Sequence, residues 1–128
     1  DAYVIRLAEM YLTVAEAEMY QNNTQEALNY FNAIRRRAAN PGFETQMEIT
    51  ADQLNIDMIL DEKAREFAGE QIRWFDLKRT DKLISRVRAH NPDAAPNIQP
   101  FHMLRPIPQA QLDAVTNKNE FIQNEGYL

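Results

Sequence analysis

The chain has 128 residues, 14 basic against 19 acidic, a net charge of −5 and no cysteine. Such a length supplies one core or part of a larger one, because a single core serves roughly 100–150 residues. Net negative charge disfavours nucleic acid, whose binding needs a clustered positive surface to release counterions, and zero cysteines exclude disulfides, thiol catalysis and thiolate-held metal together.

No apolar run approaches the roughly 20 residues that span a bilayer. No secretory pattern opens the chain either, so any export signal is expected upstream of Asp1.

The first segment, YVIRLAEMYLTVAEAEMY, lacks glycine and proline and predicts a helix over 2–20. Ile5, Ala8, Leu12, Ala15 and Met19 lie on one flank, Tyr3, Leu7, Met10 and Val14 on another, and Arg6, Glu9, Thr13 and Glu16 form a polar stripe. A helix apolar on two flanks is expected to be packed on both.

QNN interrupts the pattern, and Asn23 with Glu26 resembles a capping box for a second helix over 24–39. Its expected buried stripe is Ala27, Phe31, Ile34 and Ala38, with Gln25, Asn29, Asn32 and Arg36 facing away, and NPG at 40–42 ends it. Small residues at Ala15 and Ala27, with Phe31 four residues on, give this pair the proportions of a tetratricopeptide unit. One such unit cannot bury its own outer face and calls for neighbours.

Thr50 with Gln53 marks the start of a third helix over 51–68, and Gly69 marks a break or a close approach. A fourth helix is expected over 70–81, extending toward 88. Five prolines between His90 and Pro108 exclude a long helix there. A short extended piece near 102–107, a helix over 109–115 and an extended tail complete an all-α reading: a tetratricopeptide-like hairpin, further packed helices and a proline-rich C-terminal segment.

The densest chemistry lies at 62–79, EKAREFAGEQIRWFDLKR. Glu62, Glu66 and Glu70 recur every four residues and share a helix face, a spacing open to the paired carboxylates of glycoside hydrolysis. The same spacing serves ion pairing, for which Asp61 and Arg65, Lys63 and Glu66, and Glu70 and Arg73 stand at helical separations. The ion-pair reading is preferred, with Glu62 or Glu66 and Arg73 or Asp76 fastening the third and fourth helices to the first pair.

Trp74 could stack on a sugar face with Arg73 and Asp76 at its rim, but between Ile72 and Leu77 it reads as core, and so do Tyr3, Tyr11, Tyr20 and Tyr30. The basic run Arg35 to Arg37 reads as a helix C-terminal turn complementing the dipole. His90 and His102 have no Glu-x-x-His partner for a di-metal site, Ser85 has no elbow glycines, and three glycines leave no phosphate cradle. No catalytic residue, metal or cofactor is therefore assigned.

Three blocks are similar to the C-terminal region of the SusD/RagB-like outer-membrane nutrient-binding lipoproteins. They are RLAEMYLTVAEA at 6–17 with the following ALNYFNAIRRRA, then EKAREFAGEQIRWFDLKR, then LRPIPQAQL with the closing QNEGYL. They occur in the family's order and span nearly the whole chain. Glu120 and Glu125 stand where proline is usual, Lys63 replaces a common arginine, and Thr80 and Asp81 stand where Trp-Gly is frequent.

The resemblance implies a single C-terminal domain or fragment over 1–128, with a tetratricopeptide-like pair at 1–40, signature helices at 51–88 and the proline-rich loop, short helix and tail at 89–128. It implies a non-catalytic cell-surface lipoprotein, anchored upstream of these residues, that captures glycans or peptides for a SusC-like TonB-dependent transporter. The family's ligand residues come mostly from N-terminal loops, so no ligand-binding residue carries over to this chain. The alternative reading is an intracellular tetratricopeptide-like scaffold that binds peptides.

Overall fold

The computed structural model describes residues 5–117 and 119–127, and among them it is helical, with six α-helices and no strand. The chain divides into two units, 1–73 and 74–128.

In the first unit, α1 (Leu7–Tyr20) and α2 (Thr24–Ala38) form a helical hairpin. Asn22 takes the left-handed conformation at φ 64°, and the amides of Asn22 and Asn23 close onto the carbonyls of Met19 and Glu18. This is a Schellman closure, which satisfies the last carbonyls of α1 and turns the chain within three residues. The expected Asn23 capping box does not form. Asn23 has a non-extended backbone, and its amide donates to Glu18 at 2.7 Å instead of its oxygen capping α2.

Ala8, Leu12 and Ala15 of α1 meet Phe31 and Ile34 of α2, joined by Ile49, Ile59 and Phe67, in one buried cluster. Small residues at 8 and 15 let the two backbones approach, which is the tetratricopeptide logic of the pair. Tyr11 and Tyr30 cross the hairpin edge to face, with centroids 5.4 Å apart.

Several positions differ from the periodic reading: Ile5, Leu7 and Met10, expected on packed flanks of the first helix, are exposed. Glu16, assigned to the polar stripe, is buried, and so is Asn32, while Ala38 is exposed. Asn32 is inside for a polar reason: its amide donates to the Ile49 carbonyl at 3.1 Å and its oxygen accepts from the Ile49 amide at 2.9 Å. It thus satisfies a loop backbone that has no ladder of its own.

After α2 the chain turns at Asn40–Pro41–Gly42–Phe43, with Phe43 N–H bonded to the Asn40 carbonyl and Gly42 at φ 85°. Proline second and a positive-φ glycine third are the requirements of a type II turn. A 3-10 turn, Thr45–Met47, follows.

Then α3 runs Ile56–Glu66, starting five residues later than the Thr50 signature predicts. Gln53 does bond back to the Thr50 amide at 3.0 Å, but it closes a tight turn. Asn55, extended at φ −156°, is the true cap, its side-chain oxygen accepting from Met58 N–H at 2.9 Å. Gly69 serves conformation and not close approach, since it sits at φ 83° and a Cβ added there would meet nothing within 4 Å. With Gln71 also at positive φ, the helix expected from residue 70 begins only at Arg73.

In the second unit that helix, α4 (Arg73–Arg79), does not continue toward 88. Asp81 adopts φ 56°, and the amides of Asp81 and Lys82 close onto Lys78 and Leu77 in a second Schellman turn. Helix α5 (Leu83–His90) restarts from there, burying Leu83.

A 3-10 turn, Pro100–Met103, leads into an extended stretch and then α6 (Gln109–Ala114). Residues 102 and 103, expected to be extended, belong to that turn because Gln99 and His102 cap each other across it. The extended stretch makes no sheet. Its partner is the tail: the Gln123 side chain accepts from Ile107 N–H at 2.7 Å and donates to the Ile107 carbonyl at 2.9 Å. Asn124 and Tyr127 add bonds to the carbonyls of Arg105 and Leu104.

Candidate functional site

The glutamates of the charged signature all project toward basic side chains. Glu62, on the second turn of α3, is 5% exposed and takes Arg35 of α2 at 2.7 Å and Arg65 of its own helix at 2.7 Å. One turn on, Glu66 accepts from Arg37 at 2.5 Å and from Arg6 at 3.1 Å. Arg6 also donates to the Glu66 backbone carbonyl at 2.8 Å, satisfying one of the carbonyls that end α3.

Glu70, on the loop beyond, completes the Arg6 contacts at 2.7 Å, and the guanidinium lies 4.9 Å from the Phe67 ring centroid. The Glu70 hydrogen bond, together with the charges of Glu70 and Glu66 and against partial desolvation, raises the Arg6 guanidinium above its ordinary value. Arg6 is a fixed cation in this fold.

The same geometry explains the basic run at 35–37. Arg35 bonds both the Met47 carbonyl and Glu62, Arg36 bonds Glu48 at 2.7 Å, and Arg37 bonds Glu66. The three cations do sit in the last turn of α2, but each reaches a carboxylate on another element. Lys63, nearly fully buried, lies 3.9 Å from buried Glu16 of α1.

Glu62 and Glu66 therefore fasten α3 to α1 and α2, which is the third-helix part of the expected clasp; the Arg73–Leu60 and Asp76–Arg79 contacts do not tie the fourth helix to α1 and α2. Arg73 contributes within the first unit by donating to the Leu60 carbonyl at 2.5 Å. Asp76 pairs with Arg79 at 2.7 Å inside α4.

A hydrolytic acid and base must present carboxyls to a bond in an accessible cleft. Glu62 and Glu66 have side chains 6% and 9% exposed, and each is engaged by two guanidinium groups. Neither can meet a substrate without abandoning the contacts that orient it. Among the described residues no group of three His, Asp or Glu side chains is placed to hold a metal ion. Ser85 donates to the Lys82 carbonyl at 3.2 Å.

The aromatic candidates divide. Tyr11 and Tyr30 pack as expected, Tyr20 is 62% exposed, and Tyr3 lies outside the described residues. Trp74 is half-buried, not fully enclosed, with Arg105 5.3 Å from its ring centroid. Among the described residues its buried indole N–H has no hydrogen-bond partner. Its neighbour Phe75 points outward at 67% exposure.

Sequence reasoning found the acidic half of the clamp and missed its main basic partners, Arg6, Arg35 and Arg37. Residues 27 or more positions apart carry no local signal of pairing. Only a tertiary contact joins them.

A family model described as the SusD family matches residues 1–127. The chain belongs to the SusD family. Within it, the chain is 36% identical over 114 residues to SusD-like protein P25 of Formosa agariphila, covering 85% of the chain and 21% of that protein. It is 33% identical over 130 residues to SusD-like protein P2 of the same organism, covering 96% of the chain and 25% of that protein. A SusD-like protein of Bacteroides ovatus is 35% identical over 80 residues, covering 60% of the chain and 13% of that protein. The chain thus spans a quarter or less of the length of these curated relatives. No solved structure matches it. The SusD-family blocks at 6–17 and 62–79 are the two sides of the Arg6–Glu66–Glu70 contacts, and the closing block is the Gln123–Ile107 clamp.

Proposed function

We propose that this chain is a structural portion of a non-catalytic nutrient-binding lipoprotein at the outer-membrane surface, which captures an oligosaccharide and passes it to a SusC-like TonB-dependent transporter. The observation that carries the reading is membership of the SusD family across residues 1–127. The saturated carboxylates support the non-catalytic part: the residues best placed in sequence for glycan cleavage are occupied in holding helices together. The lipid anchor and the ligand-contacting loops are assigned to polypeptide outside these residues.

Calorimetric titration of the full-length protein against panels of oligosaccharides and peptides tests the reading, together with co-purification of a β-barrel transporter. Saturable glycan binding without cleavage is the expected result. Exclusive binding of peptides would move the substrate class, and release of glycan fragments would overturn the non-catalytic assignment.

A further inference from the structure

The first helix carries two apolar faces, and among the described residues only one of them is packed into the core. Ala8, Leu12 and Ala15 enter the core. On the opposite side Leu7 is 71% exposed, Met10 is 47% exposed, Val14 is half-buried and Ala17 is exposed. These four residues follow one another at intervals of three, four and three. That spacing is the seam along which a second helix lies, and over ten residues it extends about 15 Å along the helix.

Scattered exposed apolar side chains need no explanation, but a stripe in helical register with polar flanks marks a contact surface. Here Glu9 and Thr13 border one side and Glu18 the other. Small Ala17 at one end permits close backbone approach, while Met10 in the middle adapts its shape to a facing side chain.

The relatives indicate where the covering helix comes from. This chain matches only 21% and 25% of SusD-like proteins P25 and P2, so most of a full-length protein of that size lies outside these 128 residues. A tetratricopeptide-like pair buries its outer face against the next helices of its own polypeptide.

We propose that the Leu7–Met10–Val14–Ala17 face is an intramolecular seam, covered in the full-length protein by an apolar-faced helix from polypeptide outside residues 1–128. The acidic flanks at Glu9 and Glu18 match a covering helix whose borders carry lysine or arginine. The seam depends on family membership and not on the class of ligand.

Thiol labelling of the full-length protein, with any other reactive cysteine replaced by serine, tests it. Met10→Cys should react with a maleimide far more slowly than Asn29→Cys, which lies on an exposed position of α2, and the two rates should converge on denaturation. Met10→Glu should lower the melting midpoint of the full-length protein by several degrees, as a charge forced into a closed seam does. Equal labelling rates in the native protein would overturn the proposal. So would protection that vanishes on dilution, which would make the occupant a second copy, or protection that arises only when the transporter is bound.

Discussion

Glu66 concentrates more cross-element contact than any other carboxylate of the clamp, because one side chain receives guanidinium groups from the residue before α1 and from the end of α2. Its value lies in what its loss would strand. With Glu66 replaced by Gln, Arg6 and Arg37 keep their positions but lose the charge they were arranged around, and charge-assisted bonds of this kind contribute roughly 1.5–3 kcal/mol. Because Arg37 is half exposed, water recovers part of that loss. Glu66→Gln should therefore destabilise the protein by about 2 kcal/mol, seen as a lower urea midpoint with an unchanged slope. Gly126 concentrates constraint in a different way. It adopts φ 88°, and a Cβ there would run into the Phe101 ring, which in turn meets Tyr127 edge to face at 5.1 Å. Gly126→Ala should cost roughly 1–3 kcal/mol by combining backbone strain with overpacking. Faster hydrogen exchange at the Ile107 amide should report the loosened tail.

At the scale of elements, helix boundaries are decided by single residues with unusual backbone conformations. Asn55 sets the start of α3, so Asn55→Ala should destabilise by about 1 kcal/mol, measured by chemical denaturation, while Thr50→Ala should leave the helix start in place. The hydrophobic periods read at 2–20 and 24–39 predict α1 and α2 because their core stripes are regular; α2 ends one residue early at Ala38, and α1 starts only at Leu7, after an extended Arg6. The break between α4 and α5 escapes that reading because it depends on Asp81 taking a left-handed conformation, which aspartate tolerates and a hydrophobic pattern does not encode. Burial of Glu16 and Asn32 escapes it for a related reason. Both sit on the polar side of their helices by composition, and both are drawn inside by partners far along the chain, Lys63 and Ile49. The spacing of Glu62, Glu66 and Glu70 makes their shared face legible, whereas Arg6, Arg35 and Arg37 become visible as their partners only once α3 is packed on the α1–α2 hairpin.

For the whole molecule, the two charged blocks and the closing block hold helices and tail in place, and under the proposed function the clamp should govern stability and not ligand capture. In a full-length protein, Glu66→Gln should lower the melting temperature while leaving unchanged the Kd for any oligosaccharide found to bind as the proposed function expects. Calorimetry beside thermal unfolding checks both. A matching loss of affinity would place the clamp in the binding machinery.

The stretch Pro106–Ile107–Pro108 contributes a protection of its own. Its two prolines have no amide hydrogen to offer, and both polar groups of Ile107 are taken up by Gln123. An extended chain arriving alongside would find no free row of donors and acceptors to zip against, and edge-to-edge growth into fibrils starts from such a row. Even at high concentration, neighbouring copies would find no pairing row on this segment.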